Sequence, residues 1–352
     1  MEQNKNRTYH DQKNIERTQR LRTLARELPA WYSDYLRAHE TSLAPLTRLN
    51  YCFDTKVFFT YLVREHKIFS GYQIHEITPQ QLGKLSLTDL EIYIEYLGYY
   101  VNEDDSEQEN GEHGKARKIA SLRSLFKYLY KRNFIKANPA ELLTTPKRHE
   151  KAILRLTPEE ITSLLHTIDT GEGLTKKQQG YHKHTVLRDS AMIVLFLTTG
   201  IRISELVGLN ISDIDIENTS FRVIRKGGNE SILYFGEETK QALIAYLEER
   251  KVKGTYSLAA PLFLSMQNKR ISTRSVENLV KKYTKLIAPL KNISPHKLRS
   301  TFGTMLYQNT GDIYLVADVL GHKDVNTTKK HYAAMAEENR KLAAEVIKLK
   351  EE

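Results

Sequence analysis

Residues 221–235 read FRVIRKGGNESILYF. Apolar and β-branched residues flank the Gly227-Gly228 pair, which predicts two short strands joined by a tight turn. No other segment of the chain gives a clear hairpin, and the sequence on both sides of it carries helical spacing. Upstream, an apolar helix is expected over Val186–Leu197, stopped at Gly200, and a second over Ser204–Leu209. Downstream, helices are expected over Glu237–Lys251 and Ser272–Leu290. This part of the chain therefore reads as a mostly helical α+β domain with a small antiparallel sheet.

Residues 1 to about 148 show almost no alternating pattern and read as all-α. Four helices are expected, over Ile15–His39, Leu46–Glu65, Leu87–Tyr100 and Lys115–Arg132, which suits a small bundle. Between the last two lies NEDDSEQENGEHG, with six acids in thirteen residues, expected to be a solvated loop that points away from any polyanion. The spacing of Tyr93, Tyr96, Tyr99 and Tyr100 predicts a packed helix stripe. In GKARKIASLRSLFKYLYKR, Ile119, Leu122, Leu125, Phe126 and Leu129 form the apolar face. The remaining positions carry Lys115, Arg117, Lys118, Arg123 and Lys127, followed by Lys131 and Arg132.

A break falls at TTPKRHEKAILRLTPEE, where two prolines and the basic residues Lys147, Arg148, Lys151 and Arg155 separate the patterned halves. The expected organisation is a helical domain over 1–148, a basic linker over 149–157, a second domain over 158–338 and a terminal helix over 339–352. Thr157, Pro158 and Glu160 open the second domain with the signature of a capped helix.

At 352 residues the chain is long enough for two domains of about 100 to 200 residues each. Lys and Arg total 53 against 43 Asp and Glu, a formal charge of +10, and such an excess favours a phosphate-bearing partner. A single cysteine, Cys52, leaves no internal disulfide framework and no Cys-rich zinc site. The polar start MEQNKNRTYHDQKN lacks a signal-peptide core, and the longest apolar run, Ala191–Leu197, is far short of a membrane span. A cytoplasmic protein without a membrane role is expected.

The sequence lacks GxxxxGK[ST], strand-coupled GxGxxG, HExxH and GxSxG, so nucleotide hydrolysis and zinc proteolysis are disfavoured. Cationic and imidazole groups at helix starts stand out instead. In NISPHKLRS, Ser294 is placed to cap, Pro295 to open a helix, and His296 and Arg299 to share a face near its positive end, a setting that suits a phosphate. In TTGIRISEL, Gly200 ends a helix and Arg202 lies three residues before Glu205, whose carboxylate is placed to orient the guanidinium. Lys226 sits at the hairpin tip. In VLGHKDVNTTKKHYAAM, Gly321-His322 precedes Tyr332 by ten residues. Taken singly, each has an ordinary reading: a surface His and Arg, a surface ion pair, a solubilising lysine, one tyrosine among 20.

Taken in order, Arg202, Lys226, His296-x-x-Arg299, Gly321-His322 and Tyr332 resemble the active-site signature of the tyrosine recombinase family, the integrase and Xer type. The resemblance covers the whole chain. Its long amino-terminal part, with ELPAWYSDYL and VFFTYL, is most similar to the single-recombinase Xer proteins of low-GC Gram-positive bacteria. The ten-residue step from His322 to Tyr332 is also a feature of mobile-element integrases.

The resemblance implies a helical DNA-binding (core-binding) domain, a catalytic domain, and duplex DNA held by both. Lys115, Arg117, Lys118, Arg123, Lys127, Lys147 and Arg148 are the expected DNA contacts. Arg202 and Arg299 would clamp the phosphate, Glu205 would support Arg202, and Tyr332 would become joined to the 3′ phosphate. Lys226 would protonate the leaving 5′ oxygen, His296 would accept a proton and His322 would bond a phosphate oxygen. No cofactor, metal or ATP is expected, because guanidinium groups can supply the charge and a phosphotyrosine ester keeps the energy of the diester it replaces.

The expected partners are a double-stranded recombination site, three further copies of the chain in a homotetramer on DNA, and a DNA translocase or directionality factor. The tail's Leu342, Val346 and Leu349 form a stripe expected to dock on a neighbouring protomer. Chromosome-dimer resolution is the leading role, ahead of integration or excision of a mobile element. A type IB topoisomerase and a non-catalytic DNA-binding regulator are the more distant alternatives.

Overall fold

The computed structural model describes residues 7–102, 105–147, 154–225 and 228–321. The chain divides into two compact units, Met1–Lys151 and Ala152–Glu352.

In the first unit, α1 (Tyr9–Ala25) starts at Thr8, whose hydroxyl accepts the Asp11 N–H while the Asp11 carboxylate accepts the Thr8 N–H. The single helix expected over Ile15–His39 is in fact two. α1 stops at Ala25 and α2 spans Tyr32–Ala38, because Pro29 has no N–H to give and disfavours helical backbone at the residue before it. α3 (Pro45–Glu65), α5 (Leu87–Tyr96) and α6 (Glu112–Lys131) are the other long helices, with the one-turn α4 (Pro79–Leu82) between α3 and α5. Both α1 and α6 pack on α3.

The core of this unit is aromatic, with Tyr32, Tyr35, Phe58, Phe59, Tyr93 and Phe126 fully buried. Each such ring removed from water contributes about 1.5–3 kcal/mol, as an upper bound. The tyrosine stripe is packed at Tyr93, Tyr96 and Tyr100, with the last two rings stacked at 5.3 Å, whereas Tyr99 is exposed. The acidic segment differs from an open loop. β1 (Tyr100–Val101) pairs antiparallel with β2 (Glu107–Gln108), Tyr100 opposite Gln108 and Val101 opposite Glu107. Main-chain pairing of two-residue strands forms this ribbon, with Asn102 Nδ2 donating to Ser106 Oγ at 3.0 Å across its turn, and strands this short show no alternation in the sequence.

The second unit is built around α9 (Val186–Thr199), which packs against α7 (Pro158–Thr170), α11 (Glu237–Val252) and α13 (Pro295–Thr310). Met192, Ile193, Leu195 and Phe196 are completely buried, which requires neighbours on several sides of one helix. α7 carries the Thr157 capping box with Pro158 at its first position, and Lys291 Nζ reaches the capping Glu160 at 2.7 Å. The short α8 (Lys176–His182) and α10 (Ile203–Gly208), then α12 (Thr273–Ile287) and α14 (Ile313–Leu320), complete the described α-helices of this unit.

The sheet is antiparallel, in the order β3 (Ile214–Asp215), β4 (Ser220–Ile224), β5 (Glu230–Tyr234). Phe221 pairs with Leu233 and Ile224 with Glu230, and the turn closes through Arg225 N–H to Asn229 O at 2.8 Å. The two-residue β3 was not anticipated, since it is too short to show alternation. Among the described residues no helix is long and apolar enough to cross a membrane.

Candidate functional site

Three arginines from separate elements of the second unit meet at the end of α14. Gly200 ends α9 in the left-handed region at φ +60°, and a Cβ there would collide with Phe302 and lie 2.8 Å from the Leu320 side chain. This close approach lets α13 and α14 pack over the α9 terminus. Gly200→Ala combines left-handed strain with overpacking and is expected to destabilise the second unit by about 3 kcal/mol. Urea unfolding followed by circular dichroism checks this, and an unchanged midpoint would mean that Phe302 and Leu320 withdraw freely.

Arg202 is the residue just before α10. Glu205, one turn into the helix and buried, accepts both the Arg202 backbone N–H at 2.9 Å and its Nη1 at 2.8 Å. With Nη1 fixed, Nη2 donates to Leu320 O at 3.1 Å and Gly321 O at 2.9 Å. Arg299, on α13 and only 5% exposed, donates to Gly200 O and to the same Leu320 O. Arg225, directly after β4, donates Nη2 to Val319 O at 3.0 Å.

The attraction has a simple cause. The last carbonyls of a helix have no partner within it and carry the negative end of its dipole. Among the described residues, Arg225 Nε and Nη1 are buried with no hydrogen-bond partner. Burial pushes this guanidinium below its ordinary value; Glu205 opposes that shift, Arg202 adds to it and Asp318 opposes it. The cluster is thus a concentration of positive charge with unused donors, suited to a tetrahedral oxyanion.

His296 lies in the first turn of α13, exposed, one turn before the buried Arg299. Ser294 holds the cap position in extended backbone but makes no side-chain capping bond, so the helix start rests on Pro295 rather than on a hydroxyl cap. Lys226, His322, Tyr332, Arg148 and the tail over 339–352 lie outside the described residues. Arg225 is the residue that sequence reading missed. Its only available signal was adjacency to Lys226, since the approach to Val319 spans 94 positions.

The basic residues of α6 do not form one uniform face. Lys118 is a correction: it is 5% exposed, on the apolar side next to Ile119, with Nζ 2.8 Å from Asp54 of α3. Arg117 Nη1 reaches the other Asp54 oxygen at 2.6 Å from the rim. Burial raises the Asp54 carboxyl above its usual range despite the opposing pull of Lys118 and Arg117. Arg123 is tethered to Leu143 O and to Thr145 Oγ1, while Arg117, Lys127 and Lys147 are exposed and Lys115 is half-buried. Arg123, Lys127, Lys131 and Arg132, together with His39 after α2, border a concavity of about 700 Å³.

The pattern of the phage integrase family matches residues 154–339. The chain is 39% identical over 218 residues to tyrosine recombinase XerC of Thermodesulfovibrio yellowstonii, covering 61% of this chain and 69% of that protein. It is 35% identical over 314 residues to XerC of Caldanaerobacter subterraneus subsp. tengcongensis, covering 87% and 83%. Among solved structures, the Tn1549 transposon integrase in complex with transposon right end DNA superposes with a TM-score of 0.60 at 20% identity, covering 92% of this chain and 98% of that one.

Proposed function

The chain belongs to the phage integrase family of tyrosine recombinases, and from that premise we propose that it cuts and rejoins duplex DNA at a specific site through a 3′-phosphotyrosine intermediate and a Holliday junction. The observation that carries the reading is the meeting of Arg202 and Arg299, from motifs far apart in sequence, on one carbonyl oxygen, Leu320 O. Two guanidinium groups able to grip one oxygen atom can equally grip the non-bridging oxygens of a phosphodiester, where charge grows in the transition state.

In this mechanism the Tyr332 oxygen attacks phosphorus in line with the departing 5′ oxygen. Lys226 gives that oxygen a proton, His296 receives the tyrosine proton, His322 bonds a phosphate oxygen, and Glu205 keeps Arg202 in place. Neither ATP nor a metal enters the scheme, since the ester bond is exchanged rather than hydrolysed and the arginines carry the charge. Residues 1–148 serve as the core-binding domain and 158–338 as the catalytic domain, joined by the linker over 149–157. Lys115, Arg117, Arg123, Lys127, Lys147 and Arg148 follow the phosphate backbone. Lys118 is removed from that set.

Four copies act together on two sites, with the helix over 339–352 docking between protomers, in the cytoplasm. A Xer-type role in resolving chromosome dimers before cell division, close to the single-recombinase branch, draws support from the XerC relatives. The ten-residue step from His322 to Tyr332 favours the second reading, a mobile-element recombinase.

The test uses a duplex selected from a random-sequence pool by retention on the purified chain, cloned into two plasmids. The expected result is a covalent protein–DNA adduct on a denaturing gel and a joint product of the two plasmids. Relaxation of either plasmid without the selected duplex would instead identify a topoisomerase, and binding without any adduct a regulator.

A further inference from the structure

We infer that Arg225 is a third phosphate-binding arginine of this site, donating Nε and Nη1 to a non-bridging oxygen of the linkage that is cut. The inference rests on the recombinase reading and deepens it. Arg225 directly follows β4, yet its side chain does not extend into solvent as a solubilising residue would. It turns inward, and Nη2 is held by Val319 O at 3.0 Å. That bond sets the plane of the guanidinium and leaves two donors buried with no partner among the described residues.

Buried donors are almost always satisfied, and a charged donor left open is among the costlier defects a folded chain can carry. Another positive group lies close by, since Arg202 grips Leu320 O and Gly321 O beside the Val319 O that Arg225 holds. A Cβ added to Gly321 would overlap the Arg225 guanidinium, so the backbone at the α14 terminus is kept bare where this group lies against it. Two guanidinium groups side by side, one with open donors, form an arrangement that an incoming anion stabilises. A phosphate held by Arg202 and Arg299 brings that anion within the same cluster.

The experiment measures adduct formation on a nicked form of the pool-selected duplex, for the wild-type chain, Arg225→Ala and Arg225→Gln. The linkage to be cut is either an ordinary phosphodiester or a methylphosphonate, in which a methyl group replaces one charged oxygen. On the phosphodiester both variants are expected to lose about 100-fold in rate, the scale of losing one preorganised oxyanion donor, with duplex affinity within about threefold of wild type. On the methylphosphonate, which has no charge to neutralise, the difference from wild type should shrink at least about tenfold.

A purely structural role predicts equal losses on both linkages, and that result overturns the inference. So does a variant that cleaves the phosphodiester at the wild-type rate. Should Arg225→Ala fail to fold, Arg225→Gln, which keeps a donor for Val319 O, decides by the same two comparisons. A wild-type chain that forms no adduct with any selected duplex removes the recombinase reading itself, whereas an active wild type with indifferent variants removes only the role of Arg225.

Discussion

Tyr332→Phe binds the selected duplex as tightly as the wild-type chain and forms no covalent adduct with it. The substitution deletes one oxygen atom and keeps the ring, so packing is nearly conserved while the nucleophile is lost. A phenol with an ordinary pKa near 10 is a poor nucleophile until neighbouring cations favour its phenolate, and no water molecule positioned in its stead could become bonded to the chain. The loss of adduct is therefore expected to be on the order of 10⁴-fold or more, beyond the limit of a denaturing gel. Binding persists because the cations that meet the backbone of the duplex are untouched. Adduct retained at the wild-type level would place the nucleophile on another residue and dissolve the assignment drawn from Gly321-His322 and the step to Tyr332. The contrast with Arg225 is informative: losing an electrostatic donor slows a step, whereas losing the nucleophile removes it.

Lys118→Ala is expected to destabilise the first unit by about 3 kcal/mol, because it leaves the Asp54 carboxylate buried with only Arg117 at the rim as partner. Trp31 is the chain's single tryptophan, lies in this unit against Phe59, and donates Nε1 to Ile77 O at 2.7 Å. Its fluorescence during urea unfolding therefore reports this unit alone. The double change Asp54→Leu with Lys118→Met removes both charges at similar volume and should recover most of the stability. Duplex affinity measured well below the unfolding midpoint should change less than about twofold for Lys118→Ala, since a buried ammonium contacts no phosphate. A loss of affinity with a reduced salt dependence would instead return Lys118 to the DNA-contacting set.

The two variants also mark how far sequence reading reaches. Apolar spacing located several long helices of both units, capping and proline signals located the starts of α7 and α13, and glycine chemistry located the β4–β5 turn, because periodicity, capping and turn propensity are properties of a few neighbouring residues. Pro29 was equally readable as a helix break, yet the apolar and aromatic pattern running through it masked the boundary between α1 and α2. The β1–β2 ribbon left no mark, since its strands of two residues each are too short to show alternation. Within the cluster, the contact between Arg202 and Glu205 was legible because residues three apart at a helix start must lie close together. On α6, the basic positions were legible as charge but not as direction.

Sequence alone determined that this chain is mainly helical, basic, and carries the ordered motif of a family that joins DNA through tyrosine. Tertiary structure alone decided that Lys118 turns toward Asp54, 64 positions earlier, and that Arg225 reaches Val319, 94 positions later. The reason is physical: a helix repeat sets which side chains share a face, but burial and charge pairing depend on what packs against that face, and distant segments supply it.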